Sequence, residues 1–264
     1  MSLFTVYSAC VYYGTLLLFG AAGLALHLFC LLCGWLPATP RVERFFRRLI
    51  ARHFAAFIRW MAFTRVCRVE YRGFQARPPG GLVLVANHPG LMDATYLLAR
   101  VPDAVCIFKG SIRRNPVLGA ARRAGYLAND GGLALVRAAS EKVAAGATLV
   151  IFPEGTRTPP GEPLGAFQAG FAAIARRAQV PVQLVRISCN SNVLAKGRAW
   201  WKLPQLPARV VVQAGPLLEV GNAASTAAVV AEVEAWFHRE VPSAPYPAIA
   251  SAPAFAPVHP LTAA

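Results

Sequence analysis

The first forty residues of the chain are apolar, and a strongly basic segment follows them directly. No Asp, Glu, Lys or Arg occurs from Met1 to Pro40, whereas Arg41 to Arg72 contains nine arginines and two acidic residues. An apolar segment with a basic flank is typical of a membrane-spanning helix whose flank stays in the cytoplasm. The pattern therefore predicts a membrane anchor over residues 1–40.

The length of this anchor allows two arrangements. Tyr12 and Tyr13 are separated from Trp35 by about 22 residues, which as a helix would extend roughly 33 Å and cross a hydrocarbon core. A single span is therefore expected. Because the apolar stretch is longer than one crossing needs, a re-entrant hairpin bent near Gly20 or Gly23 is the alternative.

Apolar and basic residues recur with helical spacing from Arg41 to Ala62. On a helical wheel five arginines share one arc, and large apolar residues fill the arc beside it. These five are Arg41, Arg44, Arg48, Arg52 and Arg59. Residues 41–64 are thus predicted to form a basic amphipathic helix. It would dock on the following domain, rest on anionic lipid, or do both.

Strand-like and helical patterns alternate between residues 65 and 240. The strand-like ranges are 81–88, 104–108, 147–152, 181–187 and 208–215, and the helical ranges are 91–100, 117–124, 133–145 and 166–179. Continuous apolar runs of this kind suit strands that are buried on both faces. The expected fold is therefore α/β, with a mostly parallel central sheet flanked by helices. The Pro- and Ala-rich tail, residues 241–264, is predicted to be disordered.

Composition and charge indicate a membrane and an anionic partner. Hydrophobic residues make up 56% of the chain and charged residues 15%, and the mean hydropathy is +0.44. The 27 basic and 12 acidic residues give a net charge of +15. A nucleic-acid partner is not expected, because the aromatic residues lie mostly in the apolar segment, the amphipathic helix and the strands. The cysteines form no metal or disulfide pattern.

The stretch "LVLVANHPGLMDATYLL" places an imidazole and a carboxylate at the end of a buried strand. His88 follows the strand-like run, and Asp93 lies on the first turn of the next helical pattern. A carboxylate bound to one ring nitrogen fixes the tautomer and leaves the other nitrogen to remove a proton from a hydroxyl. The pair predicts a general base without a nucleophile. The alternative is a His–Asp pair that only stabilises the turn.

A second polar turn, "IFPEGTR", follows another strand-like run. Its glycine lets a ligand approach the backbone, and Arg157 offers a planar set of donors for a phosphate or carboxylate. An ordinary turn with a surface arginine is the alternative. Two polar turns at the carboxyl edge of one sheet favour a binding site.

Together these motifs resemble the glycerophospholipid acyltransferase family. "NHPGLMD" and "FPEGTR" are similar to two of its signature blocks, "FKGSIRRNPVLGAARRAGYL" to the region of its second block, and "VPVQLVRI" to its fourth. The likeness extends from about Arg65 to Leu218, which makes residues 65–240 the expected catalytic domain.

The resemblance implies a mechanism and a set of site residues. His88 would deprotonate the acceptor hydroxyl, and Asp93 would orient it. The residues implied to bind the substrate are Lys109, Glu154, Gly155, Thr156 and Arg157. The hydroxyl would attack the thioester of acyl-CoA or acyl-carrier protein directly, so neither a cofactor nor a metal is expected. The expected setting is the bacterial inner membrane, with the catalytic domain facing the cytoplasm, and the basic amphipathic helix makes anionic lipid an expected partner.

Two departures from the family pattern bear on the acceptor, which the family pattern implies to be a lysophospholipid such as 1-acylglycerol 3-phosphate. Gly131 stands where the family usually has an Arg, and Gln168 where it often has a Lys. Each change removes a cation. Acylation of another lipid-like acceptor, such as lyso-ornithine lipid or a glycolipid, is therefore an alternative, as is an inactive lyso-lipid binding protein.

Overall fold

The computed structural model describes residues 3–74, 80–110, 115, 120–220 and 225–242. Within these residues seven strands form one mixed sheet in the order β1-β7-β6-β2-β5-β3-β4. The strands are β1 (Cys67–Arg72), β2 (Leu82–Ala86), β3 (Val105–Phe108), β4 (Leu127–Ala128), β5 (Thr148–Ile151), β6 (Val182–Cys189) and β7 (Ala208–Leu218). Neighbouring strands are parallel except β6 and β7. The predicted α/β class and mostly parallel sheet are confirmed.

Helices cover both faces of this sheet. They are α3 (Asp93–Arg100), α4 (Ala120–Arg123), α5 (Gly132–Ala144), α6 (Gly170–Ala178) and α7 (Thr226–Glu240). Alternate side chains of β2 enter opposite cores: Leu84 packs with the N-terminal helices and α3, whereas Val83 and Val85 pack with α5, α6 and α7. Burial on both faces explains why β2 is continuously apolar.

Several element bounds differ from the prediction. β1, β4 and α7 were not predicted. Helix α6 begins four residues later than expected, because the main-chain amide of Gln168 donates instead to the carbonyl of Pro153, at 2.8 Å. The tail predicted to be disordered lies outside the described residues from position 243 onward.

The N-terminal helix α1 (Leu3–Leu32) packs against α2 (Pro40–Phe63). The phenol of Tyr7 donates to the carbonyl of Thr64 near one end of the pair, and the rings of Phe19 and Phe57 lie 4.7 Å apart near its middle. Within α1, the segment Thr5–Leu32 has the length and apolar composition of a membrane span, and an 18-residue stretch of it has a mean hydropathy of 2.2. The helix continues unbroken through positions 20 and 23, so the alternative of a hairpin bent there is wrong.

Helix α2 is the amphipathic helix that the sequence predicts. Thr39 caps its first turn by accepting a hydrogen bond from the amide of Val42, and Pro40 opens the helix. All five arginines of the predicted basic arc are exposed. Arg47 lies outside that arc because it faces the domain, where its guanidinium is buried and binds Asp103 at 2.8 Å.

Candidate active site

The two polar turns lie next to each other at the carboxyl edge of the sheet. β2 and β5 are parallel neighbours, and Val85 pairs with Ile151 in their register. His88 follows β2 and Glu154 follows β5, so the register brings both turns to the same edge. In open α/β sheets this edge is where ligands bind.

His88 and Asp93 form the pair that the sequence predicts. Nδ1 of His88 lies 2.8 Å from Oδ2 of Asp93, and the same oxygen accepts the amide of Gly90 at 2.7 Å. The imidazole stacks on the ring of Phe152, with centroids 4.1 Å apart. Because Nδ1 is held by the carboxylate, the favoured tautomer leaves Nε2 unprotonated and able to accept a proton.

Asp93 is almost fully removed from solvent. Its side chain is 4% exposed, compared with 17% for that of His88. Burial raises the pKa of the Asp93 carboxyl, while the contacts with His88 and Gly90 and the positive charge of Arg157 oppose the rise. These neighbours therefore favour the anion against the effect of burial, and the charge of Arg157 acts on the same pair.

Glu154 organises the second turn from inside the protein. Oε1 accepts the main-chain amide of His88 at 2.8 Å and the hydroxyl of Thr158 at 3.1 Å, and Oε2 accepts the amide of Gly165 at 2.7 Å. The residue is 5% exposed. The sequence implied that Glu154 holds the acceptor. Its burial and these three bonds instead make it a brace between the two turns.

Gly155 and Thr156 form the exposed tip of the turn. Gly155 has a φ of +65°, and the amide of Gln168 lies directly over the place where a side chain would begin. A glycine is therefore favoured by the backbone conformation, whereas the flexible end of the Gln168 side chain can move aside for a Cβ. The position at which the family often has a lysine, here Gln168, thus borders the turn.

Arg157 lies beside the His88–Asp93 pair. Its Nη1 donates to the carbonyl of Leu194 at 3.0 Å, and this carbonyl also accepts the amide of Leu91 at 3.3 Å. The next residue, Thr158, donates its amide to the carbonyl of His88 at 2.8 Å. The structure thus brings Arg157 and His88 together. A guanidinium carries five N–H donors, so four others can face a ligand.

Lys109 and Gly131 lie farther along the same edge. Lys109 is exposed and follows β3, which is separated from β2 by β5, a backbone separation of about 10 Å. Gly131 follows β4, the next strand outward, and is also exposed. Lys109 stays a predicted substrate contact at the periphery of the site.

Sequence reasoning missed two residues that shape the site. The amide of Asn87 bonds both main-chain groups of Ile187, at 2.7 and 2.9 Å, and so joins β2 to β6 immediately before His88. Its place beside His88 in a polar turn was the available signal. Leu194 contributes only its carbonyl, which no side-chain pattern could indicate.

Within the described ranges, no group of three or more His, Cys, Asp and Glu side chains is placed to hold a metal ion. Cys189, at the end of β6, lines a cavity that also borders Asp93. Burial raises the pKa of its thiol to about 12. A thiol with that pKa is a poor nucleophile at neutral pH.

Comparison with known proteins identifies similar chains. The family model described as Acyltransferase matches residues 68–188. The chain is 36% identical over 111 residues to a 1-acyl-sn-glycerol-3-phosphate acyltransferase of Helicobacter pylori, a match that covers 39% of this chain and 47% of that protein. It is 34% identical over 154 residues to a lyso-ornithine lipid O-acyltransferase of Pseudomonas aeruginosa, covering 53% and 56%. The matches therefore span about half the length of these curated relatives.

A solved structure shares the fold. The 1-acyl-sn-glycerophosphate (LPA) acyltransferase PlsC from Thermotoga maritima is 22% identical, with a TM-score of 0.66 over 89% of this chain and 95% of that one. The likeness extends beyond the family-model match to most of the chain. The chain thus shares the fold of this acyltransferase, and its residues 68–188 match the family model described as Acyltransferase.

Proposed function

We propose that the chain is an O-acyltransferase that moves a fatty acyl group from a thioester donor to the hydroxyl of a lyso-lipid. The observation that carries the proposal is the contact of His88 Nδ1 with the buried Asp93, which leaves Nε2 as the base. The names of the curated relatives support the reaction class. Acyl-CoA and acyl-carrier protein are both suitable donors.

The chemistry requires only proton transfer and direct attack. Nε2 of His88 accepts the proton of the acceptor hydroxyl as its oxygen bonds to the thioester carbonyl carbon. The C–S bond of the tetrahedral intermediate then breaks, and the proton on Nε2 passes to the departing thiolate. The acceptor leaves as an ester, the donor as a free thiol, and the imidazole returns to its neutral state. Asp93 stabilises the imidazolium between the two transfers.

Arg157 is the residue that we assign to the acceptor head group. It lies beside the base, it is partly exposed, and its remaining donors suit a phosphate or carboxylate. The exposed tip at Gly155 and Thr156 adjoins it. Glu154 contributes indirectly by holding the turn.

The acceptor has two candidates. The family pattern favours 1-acylglycerol 3-phosphate. The exposed Gly131 and Gln168 lie at the site edge where cations are usual in the family, which favours an acceptor with less negative charge, such as lyso-ornithine lipid. The relative from Pseudomonas aeruginosa that acts on lyso-ornithine lipid supports this second candidate.

A panel of acceptors tests the reaction. Membranes containing the full chain, incubated with labelled acyl donor, should acylate at least one of 1-acylglycerol 3-phosphate and lyso-ornithine lipid. If missing cations set the preference, Gln168→Lys should shift the ratio of kcat/KM values toward 1-acylglycerol 3-phosphate. No product with any lyso-lipid would contradict the proposal and favour a binding protein.

We further propose that the protein associates with the cytoplasmic face of the inner membrane, with anionic lipid as partner. The apolar α1 and the exposed arginines of α2 support this association. Because α1 packs along α2, a perpendicular crossing by α1 would draw the arginines of α2 into the hydrocarbon region. Each buried arginine would cost about 2.5 kcal/mol or more. The helix pair therefore favours a position along the membrane surface.

A further inference from the structure

A short segment between β6 and β7 exposes two adjacent tryptophans. Trp200 is 59% exposed and Trp201 is 61% exposed, and their rings meet edge to face with centroids 5.7 Å apart. Large aromatic rings usually become buried in a core or an interface. Neither the fold nor the proposed chemistry explains why this pair is exposed.

Two tyrosines of the apolar helix α1 form hydrogen bonds with main-chain carbonyls of this segment. The phenol of Tyr12 donates to the carbonyl of Trp200 at 3.1 Å, and that of Tyr13 donates to the carbonyl of Trp201 at 2.6 Å. These bonds fix the backbone while the indole rings face outward. The tryptophans are thus placed beside the helix that is apolar enough to enter a membrane.

The end of α2 reaches the same half of α1. The indole of Trp60 donates to the hydroxyl of Thr15 at 3.2 Å, and Thr15 lies less than one turn beyond Tyr12. Trp60 is 40% exposed and Phe63 is 82% exposed. We call Trp60, Phe63, Trp200 and Trp201 the aromatic rim.

Exposed cations accompany the aromatic rim. Arg59 and Arg65 lie next to its α2 residues, and Lys202 follows its tryptophan pair. Tryptophan rings prefer the head-group level of a bilayer, and basic residues at that level attract anionic lipids. A protein partner would meet the rings equally well. The cations and the continuity with α1 favour lipid.

We propose that the aromatic rim is an interfacial anchor that seats in the head-group region of an anionic bilayer. The segment that carries Trp200 and Trp201 also reaches the candidate active site, because Ala195 pairs with Gly90 and Leu194 holds the guanidinium of Arg157. The anchor thereby sets the position of the acceptor site relative to the bilayer surface.

Fluorescence quenching tests lipid contact independently of catalysis. The full chain is reconstituted in vesicles of equal parts phosphatidylglycerol and a phosphatidylcholine that is brominated near the glycerol end of its acyl chains. Trp200→Phe/Trp201→Phe should lower the quenched fraction of tryptophan fluorescence. The control Trp236→Phe, whose ring packs near Gly215, should not lower it. An equal quenched fraction in wild type and the double variant would overturn the proposal.

A kinetic arm, which rests on the proposed function, tests the orienting role. For Trp200→Ala/Trp201→Ala, the ratio of kcat/KM on a vesicle-embedded acceptor to kcat/KM on a monomeric short-chain lyso-lipid should fall about tenfold, or about 1.4 kcal/mol. Leu133→Ala, an exposed apolar position on α5, should keep the wild-type ratio. If the double variant kept the wild-type ratio of kcat/KM values, the orienting role of the aromatic rim would be contradicted. This includes the case in which kcat/KM falls equally on both acceptors. Inactivity of the wild type would count against the proposed function and leave the quenching result standing.

Discussion

The main-chain amide of His88 donates a hydrogen bond to Oε1 of Glu154 at 2.8 Å, across 66 positions of sequence. This contact joins the turn that carries His88, the proposed base, to the turn that carries Arg157. The proposed acyl transfer needs both turns at fixed positions. The buried carboxylate is therefore as important for the geometry of the site as the residues that face the ligand.

Replacing Glu154 tests this bracing role. Glu154→Gln keeps the size of the side chain but turns one acceptor oxygen into a donor, so it should lower the free energy of unfolding by about 1–3 kcal/mol. The kcat of this variant should fall together with its stability. The exposed Glu141→Gln on α5 serves as the control. A raised KM for the acceptor without any loss of stability would instead mark Glu154 as a direct substrate contact.

Replacing Arg157 tests head-group binding. Arg157→Ala removes a charge-assisted interaction and should weaken acceptor binding by about 1.5–3 kcal/mol, roughly a ten- to hundredfold rise in KM. Arg157→Lys should recover only part of the loss, because an ammonium lacks the planar set of donors. Arg137→Ala, at an exposed position on α5, is the matched control. If only the affinity for the acyl donor changed, Arg157 would belong to the donor site and not to the acceptor site.

Cys189 provides a test of direct transfer. Its thiol lines the cavity beside Asp93, and burial raises its pKa to about 12. A mechanism without an acyl-enzyme predicts that Cys189→Ser retains wild-type kcat within about threefold, a difference below 1 kcal/mol. The protein should also carry no covalent acyl group when the donor is supplied alone and the mass is measured. Loss of activity together with a labelled wild-type protein would indicate an acyl-cysteine intermediate.

Asp93 links stability to pH. Burial raises the pKa of its carboxyl in the folded state. The stabilisation that this carboxyl gives the folded state is therefore fully present below its pKa in the unfolded chain. It is lost as the pH rises through its raised pKa in the folded state. Asp93→Asn lacks this dependence, so its stability relative to wild type should increase from pH 4 to pH 7.

Denaturant unfolding of both proteins at the two pH values measures this difference. If the stability of Asp93→Asn relative to wild type stayed constant or decreased with pH, the pKa of the Asp93 carboxyl would not be raised in the folded protein. Turnover of Asp93→Asn should fall at both values, because the amide cannot stabilise the imidazolium.

Much of the fold was predictable from the sequence because burial imposes continuous apolar runs. Leu82 to Ala86 is fully buried, and its pattern predicts a two-sided strand. Helix α2 was predictable because one face is basic and the other apolar. β1 was missed because its burial is broken by the exposed Arg68 and Arg72, which mask the strand signal.

The candidate site was predictable to the extent that side chains carry it. His88, Asp93 and Arg157 lie in polar turns after apolar strands, and the parallel register brings those turns together. The role of Glu154 was not predictable, because burial depends on the tertiary fold. The contribution of Leu194 is a main-chain carbonyl, and no residue type signals its position.

Turnover of His88→Ala is the most direct test of the central claim that Nε2 of His88 removes the proton of the lipid hydroxyl. Initial rates with saturating thioester donor and lyso-lipid should show kcat lowered by about a hundredfold or more. The dissociation constant of the donor should stay near the wild-type value. His238→Ala, at an exposed position on α7, should match wild type. Wild-type turnover by a well-folded His88→Ala protein would contradict the account.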